Sequence, residues 1–239
     1  MKRSTSRFAV FTLAVLAVIA WAGAGCTPPK KEAGPREKIT IAYPTSPNAI
    51  LVDIAFAKGY FAEEGLDATP QPHAFGRLAL DAMIRGKADL AASGDTPIVF
   101  AAMNGSKIAT VAAIQTSNRG VAIVARRDRG IANPADLRGK TIGISRGTSG
   151  EFFAHTFLQA HGIADDQVTS VDLKPDEMPE ALRTGKVSAV STWNPNLKQL
   201  REELGSGGTV FFGDTLYTQF FCIAAAHEFL MKNPEAVKK

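Results

Sequence analysis

Two kinds of residue in this chain are equipped for chemistry: one nucleophile pattern and a set of hydroxyl-rich helix entries. Gly143-Ile144-Ser145-Arg146-Gly147 satisfies G-x-S-x-G between a strand pattern and a helix pattern, and Asp214 and His227 follow in hydrolase order. In such a triad the serine attacks an acyl carbon, the histidine takes its proton and the carboxylate orients the imidazole. The motif needs a helix starting directly after the serine and a Gly-rich oxyanion segment upstream. Here the helix start is better placed at Thr148, and the upstream segment is missing. The chain is read as having no catalytic residues. His73, His155, His161 and His227 lack metal-ligand spacing, so neither a metal nor another cofactor is expected. Cys26 and Cys222 form no disulfide framework, and Cys222, within Phe220-Phe221-Cys222-Ile223, reads as a small buried hydrophobe.

The helix entries carry more weight. Thr45-Ser46-Pro47-Asn48, Ser93-Gly94-Asp95-Thr96, Gly147-Thr148-Ser149-Gly150 and Thr192-Trp193-Asn194-Pro195 each follow a β-rich run and precede a helical pattern. Free N–H groups and the positive end of the helix dipole make such positions donors to a ligand. Thr148 with Glu151 also has capping-box spacing, and Asp95 and Asn194 stand where N-caps stand, so any one entry alone reads as a cap. Four in symmetric arrangement read as the rim of a cleft. The candidate ligand-binding residues are Tyr43, Thr45, Ser46, Ser93, Asp95, Thr96, Thr148, Ser149, Trp193 and Asn194. Tyr43 and Trp193 follow strand ends, where an aromatic ring stacks on a ligand or packs into the core. Arg119 and Arg146 are candidates for an anion, and Asp95 and Asp214 for an amine or ring N–H. At about 1.5–3 kcal/mol per charged hydrogen bond, three or four contacts suffice for micromolar binding near ~8 kcal/mol.

What positions these entries is an α/β pattern that occurs twice. Ile39 to Ser46 lines up with Ile142 to Ser149 at an offset of 103, and Gly86 to Ser93 with Gly185 to Thr192 at an offset of 99. Each copy reads strand, helix, strand, helix, strand, and two matched blocks in the same order predict two similar lobes. The β runs between and after the copies are natural crossings, so Ser117 to Gly120 and Asp214 to Thr218 are candidate hinges. Lobe one is expected to span 38–118 and 219–239, and lobe two 119–218.

The beginning of the chain is different. Lys2, Arg3 and Arg7 precede an apolar run from Phe8 to Trp21 and small residues before Cys26, the order of an export signal over 1–25. That run is too short to span a bilayer core, which takes about 20 residues. Residues 26–37 read as a linker. Gly23-Ala24-Gly25-Cys26 resembles the lipobox of bacterial lipoproteins, though Gly23 stands where Leu is usual and Ala22-Gly23-Ala24 would also serve an ordinary signal peptidase; the resemblance implies lipid on Cys26 and anchoring to a membrane outside the cytoplasm. The net charge of +4 belongs to the leader and linker, because from Ile39 onward 20 basic residues face 21 acidic ones. That balance excludes a nucleic-acid footprint.

Ala57-Lys58-Gly59-Tyr60-Phe61-Ala62-Glu63-Glu64-Gly65-Leu66, Gly86-Lys87-Ala88-Asp89, Gly147-Thr148-Ser149 and Gly185-Lys186-Val187 leading to Trp193 together resemble the solute-binding components of ABC importers for sulfonates, taurine, nitrate and thiamine-pyrimidine precursors. The resemblance spans Lys38 to Lys239. It implies a periplasmic-binding fold of the second type and a monomer that closes on a small ligand. It also implies delivery to a membrane permease driven by an ATPase, with the cleft lined by loops carrying Thr45, Ser46, Ser93, Asp95, Thr148, Ser149 and Trp193. Trp193-Asn194-Pro195 replaces the family's frequent Trp-Glu-Pro, so recognition of a ligand cation there is not expected. Relatives continue beyond the position of Lys239 with further helices, and the chain is read as a fragment or a minimal version. The competing readings are a ligand sensor and the Ser145 hydrolase.

Overall fold

The computed structural model describes residues 36–239; the leader, Cys26 and most of the linker lie outside them. Strand β1 (Glu37–Pro44) leads through a short 3-10 turn to α1 (Ile50–Lys58) and α2 (Tyr60–Glu63). Gly59 separates these helices at φ 77°, its N–H returning to Ala55 and Phe56, a left-handed stop that glycine adopts at little cost. There follow β2 (Leu66–His73), α3 (Gly76–Ile84), β3 (Leu90–Gly94), α4 (Asp95–Met103) and β4 (Ile108–Ser117). The chain then forms β5 (Val121–Arg126), β6 (Thr141–Ile144), α5 (Ser149–Ala160), β7 (Thr169–Asp172), α6 (Met178–Thr184), β8 (Ala189–Trp193), α7 (Asn196–Leu204) and β9 (Gly208–Phe212). It ends with β10 (Gln219–Ala226), α8 (His227–Lys232) and α9 (Pro234–Lys238).

The strands form two five-stranded sheets, in the orders β2-β1-β3-β10-β4 and β7-β6-β8-β5-β9. In each, the first three strands are parallel and the fourth is antiparallel to both its neighbours. Residues 118–120 carry the chain from β4 to β5 and residues 213–218 carry it back from β9 to β10, so each lobe receives its antiparallel strand from the other. Pro70 and Pro72 cannot donate to a ladder, and β2 accordingly lies at an edge.

Alternation along the strands builds a core on both faces of each sheet. In lobe one Ile39, Ile41 and Phe221 pack on one face, and Leu80, Met83, Ile98 and Cys222 on the other. In lobe two Ile123 and Ile142 meet Phe153 and Phe157, while Val124 and Val190 meet Met178, Leu182 and Leu200. The fold is the two-lobed α/β architecture read from the sequence.

The register corrects the internal alignment. Ile41 pairs with Leu90, whereas Ile142 pairs with Ala189, so Ile142 takes the place of Ile41, 101 residues away and not 103. A slip of two leaves every side chain on its original face, which is why apolar patterning concealed it.

Candidate functional site

The parallel strands of each sheet deliver their C-terminal ends toward the other lobe, and the helices that follow begin there. Between the lobes is a cavity of about 30 Å³, room for a water molecule or two. Lobe one contributes Ser46 and Asn48 after β1, Phe75, Gly76 and Arg77 at the N-cap and first two positions of α3, Gly94 and Pro97 at the junction of β3 and α4, and Gln219 and Phe221 on β10. Lobe two contributes Thr148, Ser149 and Trp193. The approach is close: a Cβ on Gly94 would lie 2.9 Å from the Ser149 hydroxyl. Two open recesses of about 390 and 360 Å³ flank the cavity, and Arg77 lines all three spaces.

Each helix start holds its polar groups differently. The Thr148 hydroxyl donates to the Ser145 carbonyl at 2.6 Å and accepts the Gly150 N–H at 3.2 Å, so it is committed to the loop. Glu151 accepts from Gly147 N–H at 2.6 Å, one residue before the position a capping box requires. Ser191 donates to the Gly150 carbonyl at 2.7 Å, pinning α5 to β8. At α4 the N-cap is Gly94, so Asp95 stands one residue inside the helix. Its carboxylate accepts the Thr96 N–H at 2.8 Å and the Tyr217 hydroxyl at 2.5 Å. Burial first, and then the bond to Asp95, raise the Tyr217 pKa above its ordinary value, so this phenol is a donor at any physiological pH. Tyr217 also meets Phe152 edge-on at 5.2 Å. A residue of the return crossing thus touches α4 of lobe one and α5 of lobe two.

Arg77 makes a second connection between the lobes. Its guanidinium donates to the Arg146 carbonyl and covers Gly147, where a Cβ would collide with it. Gly147 also has φ 70°, so its conformation favours glycine there.

Of the ten candidates from the sequence, Ser46, Thr148, Ser149 and Trp193 line the cavity. Tyr43 does not: it is buried in the lobe-one core and stacks on Phe56 at 5.8 Å, because it belongs to the strand and not to the loop beyond. Thr45 is exposed, its hydroxyl 3.4 Å from the His73 carbonyl; the helix entry equivalent to Thr148 is Ser46, N-cap of the 3-10 turn. Asp95 and Thr96 sit beside the cavity and are engaged with Tyr217. Ser93 is wholly buried behind Gly76. Asn194 caps nothing: α7 starts at Asn196 behind Pro195 with no side-chain cap, and the cavity does not reach Asn194.

The hydrolase residues are dispersed. Ser145 is buried and its carbonyl serves Thr148, Asp214 pairs with Arg119 at 3.5 Å, and the His227 N–H bonds Lys107 where α8 begins. No hydrogen bond joins the three among the described residues.

Asn48 and Gly94 line the cavity from within the named helix entries without being among the ten candidates, and Phe75, Gly76, Arg77, Pro97, Gln219 and Phe221 lie outside those entries altogether. Phe75, Gly76 and Arg77 follow β2, a third parallel strand end in the doubled pattern that the four named helix entries do not include. Gln219 and Phe221 carried no signal, since only pairing places the start of β10 beside Gly94.

Residues 46–239 match the family described as NMT1/THI5 like. A Brucella abortus (strain 2308) protein provisionally named a binding protein is 28% identical over 191 residues, covering 78% of this chain. The chain spans only 58% of that relative's length. The crystal structure of the periplasmic aliphatic sulphonate binding protein SsuA from Escherichia coli aligns with a TM-score of 0.72 at 22% identity, over 84% of this chain and 69% of that one. The alkanesulfonate-binding protein SsuA from Xanthomonas axonopodis pv. citri bound to MOPS aligns with a TM-score of 0.74 at 20% identity, over 86% and 71%. At such identities the structural likeness speaks for the fold, which is that of the periplasmic binding proteins.

Proposed function

From its membership of the NMT1/THI5-like family, to which this chain belongs, we propose that it is the extracytoplasmic solute-binding component of an ABC importer. It closes on a small anionic or heteroaromatic organic ligand, of the sulfonate, nitrate or pyrimidine class, and hands it to a permease driven by an ATPase. The observation that carries this reading is the cavity walled by both lobes, with the starts of α4 and α5 facing across it at the Gly94–Ser149 approach. A ligand seated there touches both lobes at once and stabilises the closed form by the difference in contacts between open and closed. Residues 38–118 and 219–239 move as one lobe against 119–218, with 118–120 and 213–218 as hinges. The protein acts as a monomer, without catalysis, and is held at the membrane by lipid on Cys26.

Thermal-shift screening of alkanesulfonates, nitrate, pyrimidines and aromatic acids tests the proposal. A ligand at 100 times its Kd stabilises the fold by about 2.7 kcal/mol, and no shift with any of these compounds would refute it. Labelled fatty acid enters the wild-type chain and not Cys26→Ala if the anchor is correct.

A further inference from the structure

Arg77 belongs to lobe one as the second residue of α3, and the carbonyl it donates to, that of Arg146, belongs to lobe two. The acceptor is held ready from its own side. The Arg146 N–H donates to the Asp172 carboxylate at 3.1 Å, and the Gly147 N–H donates to Glu151 at 2.6 Å. The Arg146 carbonyl and the Gly147 N–H form one peptide group, whose planar trans geometry points them in opposite directions. Glu151, drawing on the N–H from within lobe two, therefore turns the oxygen toward Arg77. A carboxylate at one end of this peptide and a guanidinium at the other polarise it in the same sense, and bonds in such a chain strengthen one another.

Arg77 has a second partner on its own helix. An Asp81 carboxylate oxygen lies 3.9 Å from Arg77 Nε, and both side chains are partly exposed. Such a pair contributes little in water, so the guanidinium is free to exchange one partner for the other. Its place decides how the space between the lobes is divided. The recesses of about 390 and 360 Å³ share Arg77, Asp81 and Arg146 in their linings, so the bridge from Arg77 to Arg146 is a wall common to both, and Arg77 also borders the cavity. That cavity, about 30 Å³, admits only water, and a solute enters when the lobes part. The bridge is well placed to resist parting. It joins the loop after β2 to the loop after β6, while the crossings leave from β4 and β9, the strands at the opposite edges of the two sheets.

We propose that Arg77, the Arg146–Gly147 peptide and Glu151 form a clasp that holds the lobes together and bars the cavity, and that withdrawal of the guanidinium to Asp81 releases it. The inference rests on the two lobes moving about their crossings. With Arg77 drawn back, the two recesses open into one another and onto the cavity.

Acrylamide quenching of Trp193 tests the clasp, since this residue lines the cavity and Trp21→Phe leaves it the only tryptophan of the chain. In that background Arg77→Met, which keeps the stem and removes the donors, raises the quenching constant, and Glu151→Gln raises it less. Asp81→Asn, which removes the competing partner, lowers it. One net hydrogen bond corresponds to about 5-fold in the open-to-closed ratio. Opposite movements at unchanged Tm distinguish the clasp from mere packing, whose loss moves both variants the same way and lowers Tm. Quenching that Arg77→Met and Asp81→Asn leave unmoved, or move in one direction, would overturn the clasp. The thermal-shift screen with alkanesulfonates, nitrate, pyrimidines and aromatic acids, repeated on these variants, separates the two claims. A compound that stabilises all of them alike while quenching stays unmoved leaves solute binding standing without the clasp, and no stabilisation with unmoved quenching overturns both.

Discussion

Thr148 and Ser93 are both hydroxyl residues near a helix start, and the structure treats them differently. Thr148 donates within its loop and accepts from the helix, which leaves no donor for a ligand. Ser93 does neither. Sequence patterning ranks them alike because a cap and a ligand donor call for the same residue types. Gly147 is less ambiguous. Its φ of 70° costs an L-residue about 1–2 kcal/mol, and the Arg77 guanidinium occupies the space a Cβ needs. Gly147→Ala is expected to lose about 1–3 kcal/mol of stability in urea unfolding.

Between elements, the decisive fit is α5 on β8. Gly150 lies in the first turn of α5, where a Cβ would come within 2.9 Å of the Ser191 carbonyl oxygen and 3.1 Å of the Trp193 ring. Helix propensity alone favours alanine over glycine by about 1 kcal/mol. Contact with backbone outweighs it, since overpacking costs about 1–3 kcal/mol. Gly150→Ala should therefore lower Tm and shift the emission of Trp193, the only tryptophan once the leader is absent. An unchanged Tm and spectrum would show that α5 can back away freely. At this scale the helices and strands were legible from alternation and glycine stops. The two-residue error in matching the lobes was not, because period-two patterning repeats itself after any even slip.

Across the whole molecule, the lobes are coupled through the two crossings as well as through the bond from Arg77 to the Arg146 carbonyl. Arg119 pairs with Asp214 from one crossing to the other and lies 4.2 Å over the Phe212 ring, but both charged groups are exposed, so the ion pair contributes little. Tyr217 is placed to do more, since it bonds Asp95 in lobe one and packs on Phe152 in lobe two. Tyr217→Phe keeps the packing and removes the bond to the carboxylate, a loss of about 1.5–3 kcal/mol that falls mainly on the closed form. Ligand affinity is expected to drop by about 10-fold, with a larger radius of gyration in solution scattering at subsaturating ligand. Unchanged affinity would assign Tyr217 to lobe-two packing alone.

By itself the sequence determined the α/β class, the doubled lobe, the crossings as connections between β runs, and the side of each sheet on which polar helix entries gather. These follow from periodicity and turn chemistry, which are local. Only the tertiary structure decided which entries meet. Tyr43 turned into the core, Asp95 was taken up by a tyrosine 122 residues away, and the unnoticed start of α3 emerged beside the buried Ser93. Each outcome depends on pairing between distant strands and on the distance separating two lobes, quantities that no local pattern encodes.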